Sequence, residues 1–368
     1  GIEGFIAETI KERYGELNKI RQIFHDMKKD SELLRKDLLI EVGNPNSNDL
    51  KKNVLAVDGS NYQEQFESIS ITIATAYVYM NNQQLERYLP SIKVVPPYYS
   101  SLVNSLRMKT LEYKVAFDAL NELRTDVNDI DLILLDGAIT FPDEAISEYV
   151  DNVPWIKEAF NEHKEVVNNF FNLVIDQDIP VAAVVKDSMA NKYFLSLYQA
   201  LINFKGNSEI EYSFLKENEV FINNWTKDGK YNVVSENSML KMLFEGNAYS
   251  RTKFCEITCS LRNEIPTNIL RGNVMGFYIK TGNSERPFFV EVPLQFKERI
   301  DEITQLLSSF SYFSLRKGYP FPLYAVHKKV ELKKKYAKSL ARTLKNMARK
   351  DLKEDYGILF EDKFRENI

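Results

Sequence analysis

Two short phrases of the same build constrain this chain more than anything else in it: Val54-Leu55-Ala56-Val57-Asp58-Gly59-Ser60 and Leu132-Ile133-Leu134-Leu135-Asp136-Gly137-Ala138. Each is an apolar run that ends in Asp-Gly. A continuous apolar run bounded by turn signals reads as a strand, the second one buried and in parallel pairing. Asp-Gly is also a common turn dipeptide, which accounts for either phrase taken alone. The pair has a further reading if the two strands are neighbours. Both carboxylates then emerge near one edge of the sheet, and the glycines let a ligand approach the backbone closely. Two hard oxygen ligands a few Å apart can hold Mg²⁺ or Mn²⁺.

The elements around these phrases give an order. Apolar or β-branched stretches at 53–58, 69–79 and 85–95 predict three consecutive strands in an antiparallel meander. A helix is expected over 100–123, with Leu106, Leu111, Val115 and Leu120 as apolar positions, followed by the strand ending at Leu135. A helix from Trp155 to Leu173 and a strand from Pro180 to Val185 complete the order β-β-β-α-β-α-β. Residues 190–264 read as a mainly helical insertion, and 274–280 with 288–292 as a strand pair. Helices are expected from Leu294 to Leu307 and from Pro322 onward, since proline suits a first helical turn. Upstream, 5–40 reads as a helix with Ile6, Ile10, Leu17, Phe24 and Met27 in an apolar stripe, then a loop at 43–48. The expected units are therefore 1–50, a core beginning at 51–189, the insertion 190–264, and 265–368 completing the core.

Composition narrows the function classes. With 44% hydrophobic and 27% charged residues, the 368-residue chain is neither collagenous nor globally disordered. No apolar run approaches the ~18–20 residues of a membrane helix. The first residues lack the parts of a secretory leader, so a cytoplasmic protein is expected. Two cysteines, Cys255 and Cys259, support neither a disulfide framework nor a structural zinc site. No phosphate-binding loop of the Gly-x-x-x-x-Gly-Lys-Ser/Thr kind occurs, so any ATP requirement would belong to a partner. The formal charge of −4 hides a polarised chain: Lys328–Lys350 holds ten basic residues, among them Lys328, Lys333 and Lys334, against one acid. Tyr336, Leu340, Leu344 and Met347 fall at helical spacing there and are expected to form the packed face. The basic remainder suits a phosphate backbone, or is a solvated surface.

The helix between the two Asp-Gly strands offers Glu112, which can point back toward the strand ends. A strand Asp, a helix Glu and a second strand Asp in this order form the ribonuclease H-like arrangement of acids. Its chemistry is two-metal phosphodiester hydrolysis, for which the protein supplies carboxylates and little else. His327 lies just inside the last helix, where a ligand or acid/base group would sit beside the basic surface. His25 and His163, in charged helical contexts, read as structural or exposed.

The sequence resembles the NurA nucleases, which work with the hexameric HerA translocase in DNA end processing and, in some bacterial systems, phage defence. The resemblance rests on Val57-Asp58-Gly59-Ser60, Leu106-Arg107-Met108 with Leu111-Glu112, Leu135-Asp136-Gly137, Val290-Glu291-Val292-Pro293, and Gly318-Tyr319-Pro320 with Ala325 and His327. It implies an α/β fold with an RNase H-like core, a mixed sheet completed by an N-terminal helix, the insertion and a basic C-terminal helix. It also implies a homodimer that uses Mn²⁺ or Mg²⁺, as two ions, to degrade DNA from ends and to cut single strands. On matching positions Asp58, Glu112, Asp136 and His327 would hold or serve the metals, with Tyr319 near them. Phe289 stands where the family often has Arg, which leaves Glu291 a weaker candidate. Lys186, just after a strand, is a candidate phosphate contact. A catalytically silent DNA-binding adaptor of the translocase and an RNase H-like ribonuclease are the alternative readings.

Overall fold

The continuous apolar run of the second phrase sits in the middle of a ten-stranded mixed sheet, with a strand on each side. In the computed structural model the described residues are 1–11, 18, 25, 31–82, 85–123, 129–139, 152–185, 240, 243–253, 255–258, 273–282, 286–315 and 318–360. The strands are β1 (Leu39–Glu41), β2 (Val54–Gln65), β3 (Ser70–Met80), β4 (Glu86–Val95), β5 (Leu132–Asp136), β6 (Val181–Val185), β7 (Ser250–Thr252), β8 (Cys255–Thr258), β9 (Asn273–Lys280) and β10 (Phe288–Pro293). Their spatial order is β1-β7-β9-β10-β6-β5-β2-β3-β4, with β8 also paired to β9. Among the described residues only β2, β5 and β6 run parallel to one another, and the other pairings are antiparallel. Parallel strands need helical crossovers, and those crossovers cover the sheet with helices. β5 is accordingly buried from Leu132 to Leu135.

The helices are α1 (residues 2–11), α2 (Ser31–Leu38), α3 (Ser100–Glu122), α4 (Pro154–Asp176), α5 (Ile300–Tyr312), α6 (Phe321–Leu352) and α7 (Asp355–Leu359). The core order β2-β3-β4-α3-β5-α4-β6 is the expected β-β-β-α-β-α-β. Pro322 lies in the first turn of α6, as proline there should. Among the described residues no helix is long and apolar enough to cross a membrane.

Four local expectations change. The first strand does not stop at Asp58 but continues to Gln65, because Gly59–Gln65 pairs residue for residue with β3. Composition reads Ser60–Gln65 as loop, while the ladder to β3 satisfies its backbone. The N-terminal helical reading to residue 40 ends at Leu38, since Leu39–Glu41 pairs antiparallel with Ser250–Thr252. Those three residues and Cys255–Thr258 are strands of the main sheet at the end of the segment read as a helical insertion; most of that segment lies outside the described residues. In the helix reading from Leu294, residues Leu294–Arg299 form a 3₁₀ segment and the α-helix begins at Ile300.

The last difference concerns α6. Tyr336, Leu340 and Met347 are exposed, Tyr336 to 75%. The packed face runs instead through Val330, Ala337, Ala341, Leu344 and Ala348, with Ala337 and Ala341 against Phe66, Ile71 and Ile73 of the β2–β3 hairpin. Alanine lets the helix axis approach the hairpin closely, so the buried stripe is the one with the small side chains. A hydropathy pattern ranks the larger residues higher and therefore picks the neighbouring face. Lys345 meets Phe66 with its Nζ 4.6 Å from the ring centroid, so part of the basic surface is anchored on this cluster.

Candidate metal centre

Parallel pairing of β2 and β5 puts Val57 beside Leu135, and so carries Asp58 alongside Asp136. The two Asp-Gly phrases reach this point differently. Asp136 ends β5 at Gly137, whose φ of +95° is a conformation that favours glycine. Asp58 instead lies inside the long strand β2 and is only 6% exposed. Its Oδ1 accepts from the Gly59 N–H at 2.8 Å, and its Oδ2 meets His327 Nδ1 at 2.9 Å. Nδ1 is thus the ring nitrogen that His327 turns toward the carboxylates.

His327 reaches Asp58 because of how α6 begins. Gly318, at φ +79°, turns the chain, and Thr281 Oγ1 donates to its carbonyl at 3.1 Å, fixing the turn to the residue after β9. Leu323, Val326 and Val330 then bury in the main core, which sets the rotation of the first turns and delivers His327 to β2. Ligand atoms of Asp58, Asp136 and His327 lie within 4.8 Å of one another. Two carboxylate oxygens and an imidazole nitrogen at that spacing suit Mn²⁺ or Mg²⁺, and the carboxylates disfavour a soft metal site.

Glu112 stands next to this trio rather than in it. It is 2% exposed on α3, and a Cβ built on Gly59 would fall 2.5 Å from its Oε1. Lys109, one turn earlier, donates to Glu112 Oε2 at 2.8 Å and to the Asp136 carbonyl at 2.7 Å. Burial pushes the Glu112 carboxyl up to about 8; Lys109 pulls it down, and Asp58 adds to the push. Burial works against the Lys109 ammonium, but Glu112, Asp136 and Asp58 together hold it above its ordinary value.

The other sequence candidates lie as follows. Glu291 is buried in β10, and its Oε2 accepts from the Ile139 N–H at 2.8 Å, bracing the chain just beyond Asp136. Phe289, in place of arginine, packs on Tyr278 with ring centroids 4.9 Å apart. Tyr319 is buried in the main apolar cluster at the turn before α6. Lys328 is exposed and pairs with Glu331 at 2.9 Å. Lys333 and Lys334 belong to α6 and their side chains lie outside the described set, as does Lys186 altogether. His163 is buried, with Nδ1 3.0 Å from Thr110 Oγ1, which is the first of the two roles, structural or exposed, that the sequence left open for it. Lys109 was not among the sequence candidates. Its signal was the i, i+3 spacing to Glu112, a pairing common on solvated helices.

A NurA domain model matches residues 52–332 of this chain. The crystal structure of the NurA nuclease from Sulfolobus solfataricus is similar over 96% of this chain and 99% of its own, at 14% identity and a TM-score of 0.59. A crystal structure of NurA with manganese is similar over 92% of this chain and 98% of its own, at 11% identity and a TM-score of 0.50. No curated protein matches the chain in sequence. The class that the fold defines is an α/β protein with a mixed sheet like that of the NurA structures. This chain belongs to the NurA family.

Proposed function

We propose that this protein hydrolyses phosphodiester bonds of DNA with divalent metal held by Asp58, Asp136 and His327, Glu112 serving the same centre. The observation that carries the reading is the approach of those three ligand groups to within 4.8 Å of one another, on adjacent parallel strands and the first turns of α6. Mn²⁺ or Mg²⁺ there supplies charge to offset a phosphate and to acidify water. The chain's own residues orient the ligands: Asp58 meets the His327 ring, Lys109 holds the strand end that carries Asp136, and Glu291 braces the chain just beyond it. The basic face of α6 continues from His327 and would steer the phosphate backbone toward the centre.

The biological assembly in this proposal is a homodimer working with a HerA-type hexameric ATPase in DNA end processing or phage defence. The chain's lack of a phosphate-binding loop fits a motor supplied from outside. α1 presents Ile2, Phe5, Ile6 and Ile10 to solvent, a stripe suited to a partner surface. Exonuclease action on ends and endonuclease action on single strands are the expected activities.

The test is cleavage of end-labelled single- and double-stranded DNA beside matched RNA and RNA–DNA hybrid, with Mn²⁺, Mg²⁺ or EDTA. DNA cut only when metal is present supports the proposal. Preference for RNA or hybrid would replace it with a ribonuclease, and binding of DNA without cutting, with the ATPase present, would replace it with a silent adaptor.

A further inference from the structure

Lys109 stands where an ion shared by Glu112 and the end of β5 would stand. Its ammonium donates to Glu112 Oε2 at 2.8 Å and to the Asp136 main-chain oxygen at 2.7 Å, and its side chain is only 17% exposed. Both glycines of the Asp-Gly phrases are fitted to this pair. A Cβ on Gly59 would fall 2.5 Å from Glu112 Oε1, and one on Gly137 would fall 2.8 Å from Lys109 Nζ. Bare backbone thus faces this lysine and glutamate both within β2 and just after β5. The ligand group of Asp58, Asp136 and His327, meanwhile, closes to 4.8 Å without Glu112.

We infer that Lys109 is a built-in cation occupying the second-ion position, so that the centre takes one divalent ion per chain, on Asp58, Asp136 and His327. The inference rests on the proposal that this trio binds metal, and it replaces the expected pair of ions with one ion and one ammonium. In two-metal sites the ions lie roughly 3.5–4 Å apart and share a carboxylate. Here Asp136 is shared in another way, with its carboxylate toward the trio and its main-chain oxygen toward Lys109. Lys109 is thus a positioning residue. It fixes Glu112 against the end of β5, and its charge opposes a second divalent ion there.

The experiment counts Mn²⁺. The full chain, stripped with EDTA and dialysed, is titrated with Mn²⁺ alone and followed by calorimetry and by electron paramagnetic resonance, together with Lys109→Met, Lys109→Arg and Asp58→Ala. The inference predicts one equivalent in the wild type with no Mn–Mn coupled signal. It predicts two equivalents with a coupled signal in Lys109→Met, and one in Lys109→Arg. Two equivalents in the wild type, or one in folded Lys109→Met, overturns it. If Lys109→Met does not fold, the wild-type and Lys109→Arg counts decide, two equivalents in either overturning it. Asp58→Ala separates the two levels of argument. Undiminished Mn²⁺ binding there sinks the metal-site proposal itself, whatever the count elsewhere.

Discussion

Gly59 faces Glu112 so closely that a methyl group at residue 59 would come within 2.5 Å of Oε1 and 2.6 Å of Met108 Cγ. Gly59→Ala must therefore move the Glu112 carboxylate and the Met108 side chain, or α3 as a whole. Overpacking of this kind costs about 1–3 kcal/mol. The expected result is a lower urea midpoint and cutting reduced by more than the stability loss explains, roughly 10²-fold for a ~1 Å displacement of a catalytic group. Wild-type cutting in this variant would show that Glu112 need not be held where it is.

The metal-free centre has its own stability cost. Because burial raises the folded carboxyl of Glu112 to about 8 from an ordinary 4.5, the folded state holds this proton more tightly than the unfolded chain does. That contribution is present below pH 4.5 and is lost as pH rises through 8. In EDTA, Glu112→Gln should then melt higher than wild type at pH 8, by about 2–4 °C for each kcal/mol recovered, with little difference near pH 5. Calorimetric scans at the two pH values check this, and an equal shift at both would contradict it.

His163 gives the opposite slope. Its Nδ1 meets Thr110 Oγ1, whose own hydroxyl donates to the Leu106 carbonyl, so the imidazole is the donor and sits neutral in the core. Burial, and then Lys109, lower it to about 4 from 6.5. The unfolded chain takes up a proton that the folded one refuses, so stability present above pH 6.5 falls as pH drops toward 4, by about 3 kcal/mol over the window. His163→Gln, which retains a donor, should flatten the urea midpoint between pH 7 and pH 4.5. An unchanged slope would assign the acid sensitivity to other groups.

The exposed stripe of α1 predicts association. Ile6→Asp with Ile10→Asp should lower the solution mass measured by light scattering, or abolish binding to the motor ATPase, without changing cutting. If mass and motor binding both persist, the stripe is not the contact.

The strand phrases carried much of this fold in plain view. The meeting of Asp58 and Asp136 hung on their strands being neighbours, and Val57 does pair in register with Leu135. Three features resisted, each for a physical reason. β2 runs on through Ser60–Gln65 because the ladder to β3 overrides a polar composition. α6 packs through Ala337 and Ala341, where closeness of approach decides and side-chain size does not. Lys109 carries in the sequence only an i, i+3 spacing to Glu112, and only the fold reveals the carbonyl of Asp136 on its other side. The sequence offers the glycines as turn formers or as room for a ligand, whereas one lies within a strand and both make room for other side chains.

The central claim is that Asp58 and Asp136 hold the metal with which this chain cuts DNA. The most direct test is cleavage of end-labelled DNA with Mn²⁺, Mg²⁺ or EDTA by wild type, Asp58→Ala and Asp136→Ala, each checked for folding by circular dichroism. The account predicts metal-dependent cutting by wild type and its loss, by at least ~10³-fold, in both folded variants. Cutting retained by both would contradict the assignment and move the active site elsewhere on the molecule.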